Sequence, residues 1–184
     1  MQDHQLQETI ISTEEVFNGH IVKLAVHTVR LPNGETGKRE VVKHPGAVAL
    51  VALEGALDGD HVLLVRQFRL PANRIMYEIP AGTLNPGEDV EECAARELQE
   101  ETGYKPGKLE KLAGFFVAPG YTSEYIQLFL ATELSESRLN MDADEFVDLV
   151  RMPLREALLM IERGEIVDGK SIIGLLQVAR QRGL

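Results

Sequence analysis

The sequence holds a single cysteine, Cys93, and no tryptophan. One cysteine excludes a disulfide within the chain, so the fold must rest on a hydrophobic core, and a reducing, cytoplasmic setting is expected. Long apolar runs are also missing. The longest, Ala47–Leu53 and Val62–Val65, fall far short of the roughly 18 residues a membrane-crossing helix needs. Met1–Glu8 is polar, so neither a secretory leader nor a membrane partner is expected. Positive charge is scarce. With 19 Lys and Arg against 29 Asp and Glu, the formal net charge is −10. A chain of this balance lacks the cationic surface that displaces counterions from nucleic acid, so no nucleic-acid partner is expected. A small anionic substrate stays compatible with it only where metal ions or local arginines neutralise the carboxylates.

What the chain does have is enough apolar content, 44% of 184 residues, for one sizeable core. Strands are expected at Ile21–Leu31 and Arg39–Lys43, separated by the turn signal Pro32-Asn33-Gly34. Further strands are expected at Ala47–Leu53, His61–Phe68, Leu112–Val117, Tyr125–Ala131 and Phe146–Met152. Ala47–Leu53 is apolar at successive positions, which marks a strand buried on both faces. Helices are expected at Leu154–Arg163 and Ser171–Arg182. Strands and helices mix without βαβ alternation, which points to a layered α+β fold. No repeat or low-complexity segment is present.

The clearest helix runs from Asp89 to Thr102. Pro86-Gly87 breaks the chain before it, Asp89 can cap its first turn with Glu92 three residues on, and Gly103 ends it. Val90, Cys93, Ala94 and Leu98 form its apolar face, so Cys93 reads as a small core residue, not a nucleophile. On another face, Glu97 and Glu101 are four residues apart, with Glu100 beside them. Like charges at this spacing destabilise a helix by a few tenths of a kcal/mol per pair, so a compensating cation is implied. A hard, oxygen-seeking ion such as Mg²⁺ fits. The bland alternative is a solvated acidic face with Arg96 paired to Glu92 or Glu100.

The longer pattern weighs against the bland reading. From Gly82 the chain reads GTLNPGEDVEECAARELQEETGY: Gly82, five residues, Glu88, seven residues, then Arg96-Glu97-Leu98-Gln99-Glu100-Glu101-Thr102-Gly103-Tyr104. This resembles the box motif of the Nudix hydrolases, with every charged and glycine position filled. Tyr104 stands where the family usually carries an aliphatic residue. The resemblance implies a Nudix-type α/β/α sandwich around a mixed β-sheet with an N-terminal antiparallel β arm. It implies Glu97 and Glu101 as the principal Mg²⁺ (or Mn²⁺) ligands, Glu100 assisting and the Ala81 carbonyl completing the set. Glu88 and Arg96 would hold the loop against the helix. The carboxylates would hold metal and not themselves attack phosphorus.

The flanks resemble one subgroup, the ADP-ribose pyrophosphatases. The segments are Arg39–Val48, Val65–Pro71, Glu78–Gly82 and Ala118–Glu124. Pro119 lies sixteen residues beyond Gly103, the place of a proline in that subgroup, although the usual preceding serine is Ala118. The resemblance implies a nucleoside diphosphate sugar as substrate, cleaved to AMP and ribose 5-phosphate in the case of ADP-ribose. Arg39 and Arg69 would contact its phosphate or ribose groups, where a planar guanidinium pairs well with phosphate oxygens. Ala118, Pro119, Gly120 and Glu124 would border the terminal ribose. Phe17 is a candidate for stacking on adenine.

In the acidic stretch Asp142–Glu145, Glu145 is the expected metal ligand or water-activating base, with Asp144 as runner-up. Residues 1–43 would form an arm that pairs with a second subunit, giving a homodimer, and 44–184 the hydrolase domain. Two other readings remain open. One is preference for another sugar nucleotide such as GDP-mannose. The other is a ligand-sensing module that does not cleave, which such modules usually signal by losing box glutamates. RNA decapping is disfavoured by the charge and by Pro119.

Overall fold

The computed structural model describes residues 6–56, 59–139 and 146–184. These form two compact units. The smaller comprises the chain up to Gly46 together with Phe116–Tyr125, and the larger comprises Ala47–Phe115 and Ile126–Leu184.

The smaller unit is built on a three-stranded antiparallel sheet in the order β1 (Thr9–Asn18), β2 (Lys23–Arg30), β3 (Thr36–Lys43). The turn at Pro32-Asn33-Gly34 joins β2 to β3, with the Gly34 N–H donating to the Leu31 carbonyl at 2.9 Å. In β2, Ala25 and Val29 are buried and their neighbours are not, the signature of a strand with one covered face. Strand β1 was not anticipated. All ten of its residues are exposed, so no buried face imposed a period of two on its sequence. Irregular register against β2 at Ile10/Ser12 and Glu15/Phe17 disrupts the pattern further.

The larger unit is organised by β4 (Ala47–Ala56). Val48, Leu50 and Ala52 point to one side of the sheet, where they pack with Cys93, Ala94 and Leu98. Ala49, Val51 and Leu53 point to the other, where they pack with Leu154, Ala157, Leu175 and Val178. An uninterrupted apolar strand is what a doubly covered position demands. Around β4 the order is β12 (Val147–Pro153), β5 (Gly59–Arg69), β4, β10 (Tyr125–Thr132), β9 (Lys108–Phe116). Strand β10 runs parallel to β4, whereas β5 is antiparallel to both β4 and β12. Two short strands follow a 3₁₀ turn at Leu70–Ala72. They are β6 (Arg74–Glu78), paired with β5, and β7 (Ala81–Thr83), paired with β4. A separate ribbon pairs β8 (Tyr104–Lys105) with β11 (Ser135–Glu136).

Helix α1 (Val90–Thr102) covers one face of this mixed sheet. Helices α2 (Leu154–Glu162) and α3 (Gly169–Arg182) cover the other. The expected α/β/α sandwich and antiparallel N-terminal sheet are therefore present. Helix α3 approaches the sheet closely at Gly174, where a Cβ would lie 2.8 Å from Val51 Cγ2. Strand β4 extends three residues beyond its expected end, and the helix limits fall within two residues of those read from the sequence. Among the described residues, no helix is long and apolar enough to cross a membrane.

Candidate active site

Helix α1 is held at both ends by the residues expected to do so. The Asp89 carboxylate accepts the N–H groups of Glu91 and Glu92 at 2.9 and 3.2 Å, and the Gly103 N–H donates to the Gln99 carbonyl. With Cys93, Ala94 and Leu98 turned to the sheet, Glu97, Glu100 and Glu101 fall on the remaining surface. Burial and the nearby Glu88 carboxylate push the Cys93 thiol up to about 12, which removes it as a nucleophile.

Two of the glutamates reach toward the backbone of β7. The Glu101 Oε2 atom accepts the Ala81 N–H at 3.0 Å, and Glu101 is only 7% exposed. The Glu97 carboxylate lies over Gly82 so closely that a Cβ there would occupy its position. The box glycine is thus a cradle for a carboxylate. Glu100 is held differently, by Arg96 Nη1 at 2.8 Å, an atom that also contacts Glu97 at 2.8 Å. Arg96 in turn grips Glu88 through Nε at 2.7 Å and Nη2 at 3.1 Å, and Glu88 accepts the Asn85 N–H at 2.9 Å. The bidentate bond from Arg96 holds the Glu88 carboxyl down at about 2. This fork ties the Asn85–Glu88 loop to the helix, as the resemblance implied. The bland pairing of Arg96 with Glu92 does not occur, and that with Glu100 does.

Three carboxylates (Glu88, Glu97 and Glu100) share Arg96, and Glu101 follows Glu100 on the helix, an all-oxygen set with excess negative charge. Among the described residues, no group of three or more acidic, histidine or cysteine side chains is placed to hold a metal ion. The carboxylate oxygens of Glu97, Glu100 and Glu101 are nonetheless donors of the kind a hard divalent cation takes. Glu145 and its runner-up Asp144 lie outside the described residues.

Of the residues expected to bind substrate, Arg69 ends β5 and donates to Glu78 through Nε and Nη2, both at 2.8 Å. Arg39, Pro119 and Gly120 come together in the smaller unit. With Glu8, Val41 and Tyr121–Ser123 they line an open pocket of about 440 Å³, within the range of small-molecule sites. The Ala118 carbonyl accepts the N–H groups of Tyr121 and Thr122, both at 3.1 Å, closing the 118–122 turn. Val42 and Ser123 fasten that turn to β3, through Val42 N–H to the Tyr121 carbonyl at 2.8 Å and Ser123 N–H to the Val42 carbonyl at 3.0 Å. Ala118 and Glu124 flank the turn and are not among the lining residues. Glu8, which ion-pairs with Arg39, was not anticipated. Phe17 is exposed at the end of β1.

The sequence reading also missed an ion cluster at Glu78, Asp168 and Lys170. One signal for it existed. Lys170 is the second residue of α3, where the helix dipole disfavours a cation, so it needs acidic partners.

A sheet sandwiched by helices, with carboxylates of one helix set against a glycine of the strand before it, is the arrangement that the resemblance to the Nudix box implied. Comparison with known proteins narrows the class. The NUDIX domain family matches residues 43–172, and the nucleoside diphosphate sugar hydrolase N-terminal domain family matches residues 8–42. The chain belongs to the Nudix family, and it is a hydrolase. It is 45% identical over 168 residues to an ADP-ribose pyrophosphatase of Bacillus subtilis, covering 90% of this chain and 89% of that one. It is 44% identical over 180 residues to a methanol dehydrogenase activator of Bacillus methanolicus, covering 97% and 96%. A crystal structure of an ADP compounds hydrolase superposes with a TM-score of 0.84 at 27% identity, covering 97% of both chains. Nudix hydrolases generally use divalent cations.

Proposed function

We propose that this protein hydrolyses ADP-ribose to AMP and ribose 5-phosphate with Mg²⁺ as the physiological cation, Mn²⁺ being an alternative. The observation that carries the reading is the likeness to the Bacillus subtilis ADP-ribose pyrophosphatase. It extends over nine-tenths of the chain and so far beyond the box. The intact box glutamates support cleavage over a purely sensing role, since Glu97 and Glu101 are both present and both packed at β7.

Glu97, Glu101 and the Ala81 carbonyl would hold the cation, with Glu100 assisting. When bound, it supplies charge neutralisation on the phosphoryl oxygens and acidifies a water. Glu145 is the proposed base for that water. Arg39 and Arg69 would bind phosphate or ribose oxygens, and Ala118, Pro119, Gly120 and Glu124 would border the terminal ribose. Glu8 already pairs with Arg39, so an anion arriving there competes with a carboxylate and must displace or share it.

The arm of residues 1–43 is proposed to pair with a second copy, giving a homodimer, with residues 44–184 as the hydrolase domain. Exposed Ile10, Ile11, Val16 and Phe17 on β1 support this, because large apolar side chains left open on an edge strand invite a partner. A cytoplasmic setting is in keeping with a lone buried thiol.

The test is a substrate panel. Purified protein with Mg²⁺ is offered ADP-ribose, GDP-mannose and other nucleoside diphosphate sugars, and products are resolved by chromatography. AMP and ribose 5-phosphate with the highest kcat/KM on ADP-ribose are expected. Preference for GDP-mannose would replace this reading with its nearest rival, and no turnover of any member would reject hydrolysis of this substrate class.

A further inference from the structure

Lys170 is only 12% exposed, and its Nζ lies 2.5 Å from Glu78 Oε2 and 3.0 Å from Asp168 Oδ2. Glu78, at the end of β6, is 2% exposed, and both its oxygens also accept from Arg69. Two cations and two anions are thus balanced in a site drawn from two distant parts of the sequence, 69–78 and 168–170. Burial pushes the Glu78 carboxyl up, but the Arg69 hydrogen bonds and the Lys170 charge outweigh it and hold the group down at about 2. Glu78 is therefore ionised at neutral pH.

Buried ion clusters are weak sources of stability, because desolvation offsets most of their attraction. Their constraint on geometry is more distinctive, and here it falls on Arg69. Nε and Nη2 of Arg69 are taken up by Glu78. Nη1 has no hydrogen bond among the described residues, and the side chain is 43% exposed. Glu101, on the carboxylate face of α1, is close enough to contribute to the raised proton affinity of this guanidinium, behind the larger effect of its hydrogen bond to Glu78. A cation with one open edge is held rigid within electrostatic reach of the proposed metal carboxylates.

The geometry points to Lys170 and Asp168 as positioning residues. Acting through Glu78, they lock the Arg69 guanidinium in one orientation, so that Nη1 meets a diphosphate oxygen without first having to be ordered. This deepens the proposed function, since it rests on Arg69 facing the diphosphate of the substrate. An unsupported arginine would lose rotamer freedom on binding, and a preoriented one does not.

The test is a double-mutant cycle with ADP as the probe, measured by calorimetry in EDTA so that no turnover intervenes. Arg69→Gln should weaken ADP binding roughly tenfold, the value of a charged hydrogen bond. Lys170→Met and Glu78→Gln should each weaken it severalfold, and Lys170→Arg should recover most of the loss. In the Arg69→Gln background neither change should cause further loss. A merely structural role would lower the melting temperature and leave affinity unchanged, or add its loss to that of Arg69→Gln. Either result overturns the proposal. If Lys170→Met does not fold, the near-isosteric Glu78→Gln carries the same cycle. Wild-type protein that binds ADP through this pattern but does not cleave ADP-ribose would reject the proposed function and keep the clamp. Cleavage of ADP-ribose with ADP affinity indifferent to all three positions would reject the clamp alone.

Discussion

The carboxylate of Glu97 fills the space that any side chain on Gly82 would need. That relationship ties the first residue of the box to its central acid. It explains the glycine by close approach, since no positive φ is required at this position. Gly82→Ala should therefore displace Glu97 without unfolding the larger unit, since the atoms nearest to the added Cβ are those of the Glu97 carboxylate. A shift of about 1 Å in a reacting group can cost on the order of 10²-fold in rate, and kcat should fall by about that much. Steady-state kinetics with a melting curve on the same sample checks this. An active Gly82→Ala enzyme would show that Glu97 has no fixed role.

Glu97→Gln and Glu101→Gln should each nearly abolish turnover, by roughly 10²-fold or more, and leave the fold intact. The amide oxygen that Glu101→Gln introduces can still accept the Ala81 N–H that the Glu101 carboxylate accepts at 3.0 Å, so this contact to β7 survives the loss of charge. Chelation with EDTA should silence the wild-type enzyme, and added Mg²⁺ should restore it. Full activity in both variants would remove the metal assignment.

How far the sequence foretold this site differs by residue. Helix α1 was legible because three independent signals coincide: the cap at Asp89, the apolar spacing of Cys93, Ala94 and Leu98, and the stop at Gly103. Strand β4 was legible because burial on both faces over Ala47–Leu53 leaves no polar position there. Strand β1 was not, since a strand with every side chain exposed carries no periodic pattern. The pairing of Lys170 with Glu78 spans 92 positions, and no local spacing encodes such a contact. The grouping of Arg39 with Pro119 and Gly120 was implied by family resemblance, and the hydrogen bonds from Val42 and Ser123 supply its physical cause.

The proposed dimer makes a separate prediction. Among the described residues, β1 pairs with β2 alone and leaves Ile11 and Phe17 exposed. Glutamate at both positions should place like charges in any arm-to-arm contact and convert a dimer into a monomer, measured by light scattering across a dilution series. The melting temperature of the larger unit should move little. A wild-type protein that is monomeric at every concentration would dispose of the arm's proposed role.

Glu78 makes stability depend on pH in acid. Its carboxyl titrates at about 2 in the folded protein, well below the ordinary value of 4.5. Above pH 4.5 the group is ionised in both states, and the full stabilisation from Arg69 and Lys170 is present. Below that, the unfolded chain takes up a proton that the folded chain refuses, so stability declines until the folded group also protonates near pH 2. The whole effect is of order 3 kcal/mol. Glu78→Gln should be less stable at neutral pH, because Lys170 keeps only Asp168 as an anionic partner. Its melting temperature should also fall less steeply than the wild type between pH 4.5 and 2, as the remaining carboxylates alone then titrate. Parallel wild-type and variant curves across that window would mean that Glu78 is not held ionised by its two cations.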